Sequence, residues 1–236
     1  MTANPRYGYR RISAIITGLG FGSSWRFWKQ HAFQLAAQRS RKRCKSDSQP
    51  DRPHQAEYPN HVWTYDILFA RLADGRPFKT LSILTEFTRE CPAILVATSI
   101  LAKDVISLLT SVIAVYGTPA FIRLDNGSEF TAHSVQAWLE SNNIGPAFIP
   151  PGQPWKNGFI ESFHDSMPLG YKFRDECLQR DWFQSLIEAQ TMIETWRVHY
   201  NTQRPHGSLG YKTPTAFADL HSAQPDQTLI SDGYKN

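Results

Sequence analysis

Between residues 61 and 217, short β-branched and aromatic runs alternate with segments whose apolar residues recur at helical spacing, and this alternation constrains the fold most. Residues 62–72 read as a first strand, Asp74-Gly75 as a turn, and 78–87 as a second strand. Residues 93–99 read as a third, which makes an antiparallel meander. Residues 103–116 then place Val105, Leu108, Leu109, Val112 and Ile113 at helical spacing, and Gly117-Thr118-Pro119 ends that helix. Residues 120–124 read as a short buried strand, 133–142 as a helix with Val135, Trp138 and Leu139 inward, and 145–149 as another strand. A loop rich in proline and glycine follows, then a helix that begins near 155–158 and carries Glu161. A further helix is expected over 181–200, with Phe183, Leu186, Ile187, Met192, Ile193 and Trp196 as its apolar positions.

This order predicts an α/β fold, an RNase H-like mixed five-stranded sheet flanked by helices, with a small helical basic N-terminal segment. Four regions are expected: an N-terminal helical segment at 1–38, a basic and polar linker at 39–60, the core at 61–217 and a flexible tail at 218–236. No apolar run approaches the roughly 20 residues that span a bilayer, and the first residues carry no apolar signal core. A cytoplasmic protein with no membrane partner is therefore expected. Cys44, Cys91 and Cys177 are widely spaced, which indicates neither a disulfide framework nor a zinc site.

The net charge of +4 mildly favours an anionic partner, and its distribution says more than its sum. Arg39, Arg41, Lys42, Arg43 and Lys45 crowd into one short stretch. They read equally well as a solvated linker or as an arm that contacts DNA phosphates.

Three acidic residues stand out by position. Asp66 lies mid-strand among Trp63, Tyr65, Ile67 and Leu68, where a carboxylate is costly unless paired or metal-bound. Asp125 follows a short buried strand, and Glu161 sits on a helix. Singly, each has a plainer reading: a partner for a buried arginine, a turn residue, an exposed helix position. Jointly they can converge into a cluster of hard oxygen ligands suited to Mg²⁺ or Mn²⁺ rather than zinc. Two such ions about 4 Å apart can drive phosphodiester displacement.

An ordered set of motifs sharpens this. It comprises Tyr7-Gly8-Tyr9-Arg10-Arg11-Ile12, Val62-Trp63-Thr64-Tyr65-Asp66, Phe87-Thr88-Arg89-Glu90-Cys91, Asp125-Asn126-Gly127-Ser128-Glu129-Phe130 and Asn157-Gly158-Phe159-Ile160-Glu161-Ser162-Phe163. Arg174-Asp175-Glu176-Cys177-Leu178, Tyr200-Asn201, Arg204-Pro205-His206 and Ser208-Leu209-Gly210-Tyr211 complete it. In these the chain resembles the IS3-family insertion-sequence transposases, of the OrfB type, and their DDE integrase catalytic core over most of residues 5–217. Thirty-five residues separate Asp125 from Glu161, the D,D(35)E spacing of that family.

The resemblance implies that Asp66, Asp125 and Glu161 bind two Mg²⁺ or Mn²⁺ ions and catalyse 3′-end cleavage and strand transfer in DNA transposition and integration. It implies that Lys156 and Asn157 face the DNA end, and that the partners are element ends, target DNA and further copies of the chain. A bacterial, nucleoid-associated location follows; Arg204 and His206 fit the family's closing motif, their role is not evident from the chemistry of the sequence, and such residues are more often structural than catalytic. Relatives also carry an upstream helix-turn-helix region, in part from a separate reading frame, so a helix-turn-helix partner is a further expectation.

Two departures from the family pattern stand out. Residues 166–171 look inserted, and Pro168 and Gly170 are expected to break the helix that carries Glu161. Thr85-Glu86 stands where relatives carry two aspartates. The alternatives are an impaired transposase remnant that only binds DNA or partner subunits and, more weakly, an RNase H-like structure-selective nuclease.

Overall fold

The computed structural model describes residues 7–16, 20–31, 55–124, 133–149, 158–164, 173–178 and 183–222. Two short helices, α1 (Tyr9–Ile15) and α2 (Phe21–Gln30), precede the core. The core runs β1 (Val62–Arg71), β2 (Pro77–Thr85), β3 (Ala93–Ala97), α3 (Ala102–Tyr116), β4 (Phe121–Leu124), α4 (His133–Ser141), β5 (Gly145–Phe148) and α5 (Gly158–His164). A π-helical turn, Arg174–Leu178, then leads to α6 (Leu186–Thr202) and α7 (Pro214–Ser222).

The five strands form one sheet in the order β3-β2-β1-β4-β5. The first three pair antiparallel, whereas β4 runs parallel to β1 and β5 parallel to β4. The expected mixed α/β sheet is therefore present, with its meander leading. Gly75, at φ +85°, makes the β1–β2 turn in a region closed to most side chains. At the other edge, a Cβ on Gly145 would come within 2.5 Å of the Phe121 ring, so β5 approaches β4 only because that residue has no side chain.

Two apolar layers cover the sheet. Trp63, Tyr65, Leu81 and Ile83 pack with Val105, Leu109 and Val112 of α3 and Val135 and Leu139 of α4. The opposite layer joins Leu72, Phe78 and Leu84 to Ile160 and Phe163 of α5 and Ala189, Ile193 and Tyr200 of α6. Successive strand residues face opposite sides. Trp63, Tyr65 and Ile67 therefore belong to the first layer and Leu68, Ala70 and Leu72 to the second. Asp66 shares the parity of the second set, so its side chain projects toward α5 and α6.

The structure corrects the sequence reading at two element boundaries, one core position and one helix. The second strand stops at Thr85 because the chain turns there: Arg89 N–H donates to the Thr85 carbonyl at 3.0 Å, with Arg89 at φ +63°. The last long helix starts at Leu186 rather than 181, since Ser185 caps it by accepting from Glu188 N–H at 3.2 Å. Ile187 is 75% exposed and not a core position. Helix α7, which the sequence reading does not mark, carries described structure to residue 222.

Candidate active site

The Asp66 carboxylate is built from a strand and a helix. Its Oδ1 accepts the Ile67 N–H at 2.7 Å, and its Oδ2 lies 3.2 Å from Nδ1 of His164, the last residue of α5. Across the β1–β2 ladder the residue opposite Asp66 is Ser82, itself buried. The Asp66 side chain is 27% exposed, so part of the carboxylate faces solvent. Among the described residues it pairs with a histidine, not with an arginine or lysine.

Glu161 lies three residues before His164 on α5, and residues so spaced share a helix face. It is half-buried. Ile160 and Phe163 on the same helix are buried, which seats this seven-residue helix on the sheet. Asp125, Lys156, Asn157 and the basic residues Arg39, Arg41, Lys42, Arg43 and Lys45 lie outside the described residues, as does the 166–171 stretch.

A metal ion fits the chemistry present. Asp66 and Glu161 offer carboxylate oxygens, the donors that Mg²⁺ and Mn²⁺ prefer. A carboxylate has about four lone-pair sites, and the two hydrogen bonds to Asp66 leave others open. Among the described residues no group of three His, Cys, Asp or Glu side chains gathers at one point, and the pair supplies two of the three acids that the sequence reading names.

The Thr85-Glu86 departure has a structural account. Glu86 and Arg123 form a doubly hydrogen-bonded ion pair at 2.6 and 3.2 Å, with side chains 0% and 1% exposed. Arg123 precedes the last residue of β4, so the pair clamps the strand that leads to Asp125. Sequence reasoning did not mark this pair; a buried arginine within an otherwise apolar four-residue strand is the signal that could have.

The closing motif also becomes legible. Asn201 brackets Cys91, accepting its N–H and donating to its carbonyl, both at 2.9 Å. Arg204 makes a forked pair with Glu176 at 2.6 and 2.9 Å. The Arg204 guanidinium also faces the Tyr7 ring at 5.8 Å, which ties the N-terminal segment to the core. Burial, with Glu176 nearby, pushes the Tyr7 hydroxyl up to about 12. His206 packs edge-on against Tyr200 at 4.8 Å. Arg204 and His206 are thus part of a buried scaffold.

An RNase H-like sheet with acids on β1 and α5 defines a class, and comparison with known proteins gives the family. Integrase core domain families match residues 56–154 and 142–214. A 31.7 kDa protein of insertion element IS407 from Burkholderia multivorans is 35% identical over 225 residues, covering 94% of this chain and 78% of the relative. The transposase of insertion sequence element IS904 from Lactococcus lactis is 26% identical over 232 residues, covering 92% and 89%. Among solved structures, the HTLV-2 integrase catalytic core domain in complex with magnesium (trimeric form) superposes with a TM-score of 0.50 at 18% identity, over 68% of this chain and 97% of that one. The chain belongs to the insertion-sequence transposases with an integrase catalytic core. Among the described residues no helix is long and apolar enough to cross a membrane.

Proposed function

We propose that this chain cuts DNA at the 3′ ends of its element and joins them to target DNA, using Mg²⁺ or Mn²⁺ held by Asp66, Asp125 and Glu161. The observation that carries the reading is the Asp66 carboxylate: placed mid-strand, part exposed, paired among the described residues with a histidine rather than an arginine or lysine, and facing the helix of Glu161. The β1–β4 register, Thr64 opposite Arg123, supports including Asp125, because β4 delivers the chain next to the strand of Asp66. The magnesium bound by the HTLV-2 core agrees with the choice of ion.

When bound, two such ions activate the attacking oxygen and stabilise the leaving one in an in-line displacement. Asp66 would supply its carboxylate from the sheet and Glu161 from α5. Lys156 contributes phosphate contact and Asn157 positions the DNA end, while the basic stretch 39–45 adds sequence-independent attraction to the backbone. Several copies of the chain act together to hold two ends. The test is a cleavage-and-joining assay on DNA carrying the element's own ends with Mn²⁺. Asp66→Asn, Asp125→Asn and Glu161→Gln should each abolish product; equal product from wild type and all three variants would remove the assignment.

A further inference from the structure

His164 stands behind the acidic site. Its Nδ1 meets Asp66 Oδ2 at 3.2 Å across a sequence separation of 98 residues. Its side chain is 4% exposed and walled by the Phe163 ring at 5.3 Å and the Phe173 ring at 6.1 Å. Those rings are themselves stacked at 5.8 Å, and Phe163 packs edge-on against Tyr200 at 5.1 Å. A ring enclosed in this way cannot reach DNA. Its Nε2 is buried with no hydrogen-bond partner among the described residues. Among the described residues, the one polar side-chain contact it makes is to Asp66.

We propose that His164 is the positioning residue of the acidic site: it donates Nδ1–H to Asp66 Oδ2 and thereby fixes the carboxylate and helix α5 to each other. This rests on the reading of Asp66 and Glu161 as metal ligands. Three consequences follow from the geometry. The bond selects one Asp66 rotamer, which leaves the other lone pairs directed at the open side. It ties α5 to β1 by a polar contact between the elements that carry the two acids. Because Glu161 lies three residues earlier on the same face, fixing His164 also fixes where Glu161 points. Most helical stability in proteins comes from tertiary packing, so the placement of α5 depends on such anchors.

The experiment is Mn²⁺ titration of the full chain by calorimetry, below the unfolding temperature of every variant. His164→Ala should weaken Mn²⁺ binding by about ten- to hundredfold, the range seen when a hydrogen-bonding partner of a ligand is removed. His164→Asn, whose amide can donate to the same oxygen, should stay near wild type. A merely structural histidine would lower the unfolding temperature of His164→Ala and leave the affinity of the folded protein unchanged, and that result overturns the proposal. Asp66→Asn separates the two readings. If it abolishes binding while His164→Ala does not alter it, only the positioning role fails; if it binds as wild type does, the metal-site reading fails and takes the positioning role with it. A metal-free check is the ¹⁵N shift pair of the His164 ring. The expected form carries its proton on Nδ1 and responds to Asp66→Asn; a ring protonated only on Nε2 overturns the proposal.

Discussion

Glu86 and Asp66 are both acids in the body of the sheet region, and they are held in opposite ways. Glu86 is fully buried and locked to Arg123 by two hydrogen bonds, so its charge is cancelled within the protein. Asp66 is part exposed and receives hydrogen bonds from a backbone N–H and an imidazole, neither of which is a permanent cation. The Arg204–Glu176 pair behaves like Glu86–Arg123. The difference separates carboxylates committed to ion pairs inside the fold from one that, under the proposed function, serves a metal ion. Where an acid has its arginine inside the fold, a metal has nothing to gain there.

The comparison can be broken first at the clamp. Arg123→Met leaves Glu86 buried without its partner and should cost about 3–5 kcal/mol in denaturant unfolding, the usual penalty for halving a buried ion pair. Replacing both residues, Glu86→Leu with Arg123→Met, should recover much of that loss; if the double variant is no better than the single one, the clamp is more than a charge pair. A smaller effect is expected at the bracket around Cys91. Asn201→Ala removes two hydrogen bonds; the Cys91 carbonyl still accepts from Arg197 at 2.9 Å, so only the buried Cys91 N–H is left unpaired, which should cost about 1–3 kcal/mol. Smaller again, Ser185→Ala should cost about 1 kcal/mol through loss of the α6 cap, measured by the same unfolding midpoint. The smallest shift sharpens the contrast. Asp66→Asn should change metal-free stability by under about 1 kcal/mol, as expected for a group outside any ion-pair lock with a permanent cation; a loss as large as that of Arg123→Met would place Asp66 with the structural acids.

Much of the fold was legible because it is written in local patterns. The β-rich runs, the turn at Asp74-Gly75 and the helical spacing of Val105, Leu109 and Val112 each report on neighbours in sequence, and the five strands follow from them. The start of α6 was placed early because Phe183 continues the apolar spacing, although its burial comes from packing before the helix begins. Ile187 fits that apolar pattern and yet faces solvent, since periodicity cannot say how wide a buried stripe is.

The candidate site was legible only in part. A carboxylate inside an apolar strand is a local anomaly, and Glu161 announces itself through the motif around it. What holds them is long-range. The His164–Asp66 contact joins residues 98 apart and Arg123–Glu86 joins residues 37 apart, and no window of sequence contains either pair. A histidine beside Phe163 reads as a core residue, and it is one; its contact with Asp66 comes from the packing of α5 against β1. Arg204 and His206 show no evident role in the chemistry of the sequence, and their packing against Glu176, Tyr7 and Tyr200 gives them a structural one.

The central claim is that the Asp66 carboxylate, which among the described residues has no arginine or lysine partner, binds a divalent ion. Thermal unfolding of the full chain with and without millimolar Mn²⁺ tests it directly, because a ligand that binds only the folded state raises its stability. The account predicts a rise in unfolding temperature for the wild type that Asp66→Asn and Glu161→Gln both lose. An equal rise in all three proteins, or none in the wild type, would contradict it.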